Sequence, residues 1–334
     1  MKLPKDAPKE STFVYRTKPQ SGNGINGLGE RQKRRARYVF HSNPKTGPLP
    51  WDKLNRVFLY CYPVWGFPLF IANRFAQFAH QGKLAAVRRD VAEPDAMARE
   101  VKTRARELGA ALVGICELRE DYLIEGASLP YRYAVSMAVP MNRDVMVRAP
   151  HPSAGMEVIR AYKRCAHASV GMARFLRSLG WESLAFPLSP SSEVLHIPVA
   201  IAAGLGQLGK HGSLITREFG SNVRLTTVLT SIPLTVDSPR DIGVDDLCAS
   251  CTICVRNCPP GAIFDDKQWV RGDRKWYVDF DRCVPYFAET QGCAVCIEVC
   301  PWSEPGKGEW LSDKMLAKRG IRGGPTRSAD SYLS

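Results

Sequence analysis

No stretch of this 334-residue chain is apolar and unbroken enough to cross a bilayer as a helix. The best candidate, Val57 to Ala72, is interrupted by Pro63, Gly66 and Pro68. It reads instead as a buried segment that wraps a core or roofs a cavity. A secretory leader is also missing at the start, and Arg34-Arg35 is followed by that same broken stretch rather than by a proper apolar core of an export signal. A cytoplasmic location is therefore expected, and a disulfide-stapled framework is not. Acidic charge is scarce: 33 Asp and Glu face 46 Lys and Arg, a net charge of +13. Residues 1–50 carry eleven of the bases against three acids, so +8 of that excess lies there. With Ser21-Gly22-Asn23-Gly24 and little apolar periodicity, that region reads as a mobile basic arm. An electrostatic dock for an acidic electron-donor protein is a second reading. No basic groove interleaved with aromatics occurs elsewhere, so no nucleic-acid partner is expected.

What the chain does have is cysteine in a telling order. Eight of eleven fall near the C-terminus, as Cys248-x2-Cys251-x2-Cys254-x3-Cys258-Pro259 and Cys293-x2-Cys296-x3-Cys300-Pro301, with Cys283 just upstream. Three closely spaced cysteines and a fourth before proline form the bacterial ferredoxin pattern, in which the fourth ligates the neighbouring cluster. One 4Fe–4S cluster is then assigned to Cys248, Cys251, Cys254 and Cys300, and a second to Cys258, Cys283, Cys293 and Cys296. Zinc sites seldom carry a third cysteine at that spacing. Cys61, Cys116 and Cys165 lie among apolar neighbours and read as packing residues.

The rest of the chain sets out a core ahead of this module. Pro94 opens a helix that Gly109 stops, and 111–116 and 133–139 read as strands. A long helix follows, from Ser153 as N-cap to Gly180 as stop, with Ile159, Tyr162, Ala166, Val170, Ala173 and Leu176 along one stripe. Strands are expected at 184–188 and 223–229. The fold class is α+β, divided into an arm (1–50), an aromatic-rich wrapping segment (51–93), a core (94–242), a two-cluster ferredoxin-like module (243–304) and a tail (305–334).

Gly204, Gly206 and Gly209 have the spacing of a dinucleotide loop, but no acidic residue follows about twenty positions on, where Arg224 and Thr226 lie instead. A nicotinamide site is not expected. Three close glycines say that backbone here approaches something bulky.

The segments Gly204 to Thr216, Gly220-Ser-Asn-Val-Arg224-Leu, Trp276 to Phe287 and Gly292 to Ser303, in that order, resemble the cobalamin- and iron–sulfur-dependent reductive dehalogenases. The resemblance runs from about residue 95 to residue 305. The epoxyqueuosine reductases are a sister family with the same core and cofactors. The resemblance implies a nitroreductase-like core that buries a base-off corrinoid (cobalamin), with two 4Fe–4S clusters passing electrons to cobalt. It implies a catalytic pair, Tyr162 as proton donor and Arg224 as its positive partner, and a small organohalide as substrate. Phenols, with a reference pKa near 10, are feasible acids, and an adjacent guanidinium favours the phenolate. Gly204, Gly206, Gly209, Lys210 and His196 are the candidate corrinoid contacts, with His211 beside them. No aspartate occurs from Pro187 to Pro198, where the epoxyqueuosine reductases carry a catalytic one, and their helical-repeat extension is absent, as is any fused reductase. A separate ferredoxin or flavodoxin-type electron donor is implied.

Overall fold

The computed structural model describes residues 21–40, 47–52, 54, 66–77, 79, 81–187 and 193–320. Cys61, the 188–192 stretch and most of the Val57 to Ala72 segment lie outside the described residues. Helices α1 (Gly22–Asn26) and α2 (Phe67–Gln77) precede α3 (Pro94–Glu107), β1 (Leu112–Glu117), β2 (Tyr133–Pro140), α4 (Arg143–Met146), α5 (Pro152–Ser178), β3 (Ser183–Phe186), α6 (His196–Ala202), the short pair β4 (Gln207–Leu208) and β5 (Leu214–Ile215), and β6 (Val223–Thr230). The cysteine-bearing part contributes α7 (Val244–Ser250), α8 (Ile253–Arg256), β7 (Gln268–Val270), β8 (Asp273–Lys275), α9 (Phe280–Glu289) and α10 (Val295–Glu298), and α11 (Lys307–Lys318) follows.

The four long strands form one antiparallel sheet in the order β1-β2-β6-β3. Alternation along each strand sends neighbouring side chains to opposite faces. Val135, Met137 and Val228 face α3 and α5, where Met97, Val101, Ala168, Met172 and Leu176 complete a dry core. On the other face Cys116, Ala134 and Leu229 pack on Val199 and Ala203 of α6 and its end. The result is a three-layer α+β core. Helix α5 starts one turn's edge earlier than the Ser153 cap expected from sequence. Pro152 supplies its fixed φ to the first turn, and His151 Nδ1 accepts from the Ser153 amide at 3.2 Å.

The cysteine-bearing part joins the core through a second apolar cluster, in which Ile215, Val244, Trp276, Trp302 and Leu311 meet. The α5 helix also touches it closely: a Cβ on Gly155 would sit 2.4 Å from the Gln291 carbonyl oxygen. Arg143 pairs with the buried Glu298 across the same seam.

The mobile-arm expectation needs correction for the described residues 21–40: the part from Gly22 to Lys33 docks on this module, and Arg35 to Tyr38 run on to the core at Glu125 and Ala127. The Gly22 amide and the Trp51 indole both donate to Asp281 Oδ1 at 2.9 Å, Asn23 Nδ2 donates to Asp279 at 2.7 Å, and Lys33 pairs with Asp273 at 2.8 Å. Small residues that suggested flexibility serve close packing. A Cβ on Gly22 would lie 2.2 Å from the Trp51 ring.

Gly114 of β1 is where α6 presses on the sheet, since a Cβ there would lie 2.0 Å from the Ala203 carbonyl oxygen. Gly114→Val is expected to destabilise the fold by about 1–3 kcal/mol or more, as overpacking against backbone does. Urea unfolding monitored by circular dichroism checks this, and an unchanged midpoint would contradict it.

Candidate active site and cluster module

Helix α5 and strand β6 bring the predicted catalytic pair together. Arg224 Cζ lies 5.7 Å from the centre of the Tyr162 ring, and both residues are half-buried. The other stripe residues of α5 are buried, with Ile159 and Val170 under the sheet and Ala166, Ala173 and Leu176 fully enclosed. Tyr162 therefore stands at the edge of the packed stripe rather than inside it. Arg224 Nη1 donates to the Val223 carbonyl at 3.3 Å, while its Nε is buried with no hydrogen-bond partner among the described residues. The nearby buried carboxylate, Glu157, is already committed. It accepts from Arg164 at 2.8 Å and from the Asn142 amide at 3.0 Å. Among the described residues Arg224 has no ion-pair partner, and the Tyr162 ring is what its guanidinium lies over.

His196 is not part of this pair. It projects from α6 and shares a 2.7 Å hydrogen bond with Thr227, three residues along β6 from Arg224 and so on the opposite face of the sheet. Burial lowers its pKa to about 4, and its Nε2 has no partner among the described residues.

The three glycines serve close packing. What approaches them is the protein's own chain. A Cβ on Gly206 would lie 2.1 Å from the Ile215 carbonyl oxygen, one on Gly209 2.6 Å from Ile215 Cδ1, and one on Gly204, at φ +76°, 2.6 Å from the Ser238 carbonyl oxygen. Gly206 and Gly209 thereby let β4 and β5 pack closely. The neighbouring Lys210 lines a cavity with Cys248, Cys251, Cys254, Cys300, His211 and Trp302.

That cavity and a second group divide the cysteines. Cys300 interacts electrostatically with Cys248, Cys251 and Cys254, whereas Cys283 does so with Cys258 and Cys293. Cys296 feels Cys258, Cys283 and Cys293, and also Cys254, where the two groups adjoin. Burial pushes the thiols of Cys254, Cys283, Cys293 and Cys300 up to about 12, and Cys248 to about 11. Thiolates so enclosed need bound cations to offset desolvation. Among the described residues no three His, Cys, Asp or Glu converge where one metal ion could sit. Iron–sulfur cubes spread their four thiolates over four corners, so wider spacing suits them.

Two orphaned donors fit such cubes. Trp302 Nε1 is buried without a partner among the described residues, and Trp302 lines the first cavity. Tyr286 Oη is likewise unpartnered, and its ring lies in the field of Cys258 and Cys293, which together with burial raises its pKa to about 12. Cluster sulfurs accept hydrogen bonds of this kind. No role for Trp302 was expected from the sequence, although it directly follows Cys300-Pro301.

Comparison with known proteins bears on both parts. Residues 247–303 match the 4Fe-4S dicluster domain. The tetrachloroethene reductive dehalogenase of Sulfurospirillum multivorans is 30% identical over 279 residues, 67% of this chain and 54% of the relative. The chain is a homologue of the reductive dehalogenases. The epoxyqueuosine reductase of Aliivibrio fischeri is 28% identical over 63% of the chain and 55% of its own length. Among solved structures, a catabolic reductive dehalogenase in complex with 3-bromo-4-hydroxybenzoic acid superimposes with a TM-score of 0.67 at 28% identity, over 75% of this chain and 38% of that one. This dehalogenase homologue thus spans about half the length of the curated relatives it matches. Its dicluster domain carries two 4Fe–4S clusters. Among the described residues no helix is long and apolar enough to cross a membrane.

The two neutral histidines give this homologue a pH signature. His196 and His211 both have pKa values lowered to about 4 by burial, against about 6.5 when unfolded. The unfolded chain therefore binds more protons between those values, and stability falls as pH drops from about 6.5 toward 4, by about 3 kcal/mol per histidine. His196→Gln is expected to remove its share of that fall and leave the share of His211. Denaturant titrations at pH 7 and pH 4.5 measure this. Wild-type pH dependence in the variant would contradict it.

Proposed function

We propose that this chain is a corrinoid-dependent reductase that dehalogenates a small organohalide, with two clusters relaying electrons from a separate ferredoxin or flavodoxin-type donor in the cytoplasm. The observation that carries the reading is the Arg224 guanidinium over the Tyr162 ring, 5.7 Å away, in a chain that also bears the dicluster domain. The reading is supported by a solved reductive dehalogenase whose structure suggests a mechanism for B12-dependent dehalogenation, 29% identical with a TM-score of 0.66. The proposed ligand sets are Cys248, Cys251, Cys254 and Cys300 for one cluster and Cys258, Cys283, Cys293 and Cys296 for the other.

The overall change is R–X plus two electrons and one proton to R–H plus halide. A base-off corrinoid, when bound, would supply the low-valent cobalt that makes two-electron cleavage of the carbon–halogen bond feasible. Its fit is supported by the unpartnered, buried Arg224 Nε beside a half-exposed phenol. Tyr162 holds the proton on its Oη and delivers it to the carbon that has lost halide. Arg224 stabilises the phenolate that remains, without a carboxylate to quench it. Solvent then restores the proton. The absence of any aspartate from Pro187 to Pro198 disfavours epoxyqueuosine reduction on the same scaffold.

Tyr162→Phe in cofactor-loaded protein is expected to lower turnover of halogenated phenols or alkenes by about 100-fold or more, with iron and cobalt content unchanged. Arg224→Gln should fall with it, and Arg224→Lys should recover part of the loss. Undiminished turnover by the phenylalanine variant would sink the assignment.

A further inference from the structure

The chain spends a buried positive charge beside one cluster and not beside the other. Lys210 is 2% exposed, yet none of its contacts is with a carboxylate among the described residues. Its ammonium lies 5.0 Å from the centre of the Trp276 ring, and the residue lines the cavity of Cys248, Cys251, Cys254 and Cys300. The Lys210 amide donates to the Cys248 sulfur, and its charge acts on Cys248 and Cys254. Asp245, the carboxylate that faces Cys248, is held elsewhere. It accepts from the Trp276 indole and from Lys267 Nζ, both at 2.6 Å. Lys267 stacks on Trp276 as well, at 5.4 Å, but is one-third exposed. Among the described residues the second cysteine group faces no such cation: Cys283, Cys293 and Cys296 feel other cysteines and Asp279.

Burying a lone ammonium is costly unless an anion answers it. A cube held by four thiolates is such an anion, and it becomes more negative when reduced. We infer that Lys210 is the fixed counter-charge of the Cys248–Cys251–Cys254–Cys300 cluster and raises its reduction potential above that of its neighbour, so that the two clusters are electronically unequal. Trp276 shields the ammonium from water and from Lys267. This rests on the dicluster domain and not on the corrinoid.

The test is an EPR-monitored redox titration of anaerobically reconstituted full-length protein without cobalamin, so it reads the clusters whatever becomes of the dehalogenase assignment. Lys210→Met is expected to shift the reduction equilibrium of one cluster about tenfold toward the oxidised form, roughly 59 mV for a one-electron couple, with the other unmoved. Lys210→Arg should keep the wild-type potential, and Lys267→Met should shift it less than Lys210→Met. Should Lys210→Met fail to assemble four of its irons while Lys210→Arg assembles them, charge is again the requirement. Unchanged potentials in Lys210→Met would overturn the inference. So would equal shifts in the methionine and arginine variants, equal shifts of both clusters, or failure of both variants to assemble.

Discussion

Eight cysteine sulfurs enclosed in one module create a debt that only iron can offset. Free thiols there are held far up their range by burial, so the thiolates that ligate iron exist only with the metal in place. Everything around the module is arranged about that fact. Trp276, Trp302, Ile215 and Leu311 wall off one site, and Gly22 and Trp51 brace α9 through Asp281. The polar atoms left over, Trp302 Nε1 and Tyr286 Oη, are those a cluster sulfur could accept from.

The module would be an isolated electron carrier without its seam to the core. Gly155 of α5 lies against the Gln291 backbone, and Val158 and Ala161 share an apolar cluster with Ala294, Cys296 and Ile297. The next residue along α5 is Tyr162. One helix therefore carries both the contact with the second cysteine group and the candidate proton donor. Strand β6 supplies the complement: its alternation delivers Arg224 to α5 and Thr227 to α6. Charge on one face and a neutral buried histidine on the other follow from a two-residue period.

Much of this was legible in the sequence because the signals were periodic or chemically constrained. The four strands and the long helix lie within a few residues of where alternation and the 3.6-residue stripe put them. Cysteine spacing before proline suggested the two ligand sets proposed above; Cys248, Cys251, Cys254 and Cys300 line one cavity, and Cys283 lies in the field of Cys258 and Cys293. The Tyr162–Arg224 encounter was not readable from pattern, since 62 residues separate them; resemblance supplied it. Glycines signalled packing. At Gly22 one marks a close approach to Trp51 rather than mobility, and Gly206 and Gly209 lie against Ile215. A glycine reports that something is near without saying what. What the sequence could not show is that the β4–β5 turn carries Lys210 to the cysteines and that sheet alternation puts His196 on the face opposite Arg224.

Metal content tests the central claim most directly. Protein expressed anaerobically with cobalamin, purified and assayed for cobalt and iron alongside its EPR spectrum, should hold about one cobalt and about eight irons per chain, with a base-off Co(II) signal. Eight irons with no cobalt would contradict the account: the clusters would stand, and Tyr162 would have no reaction to serve.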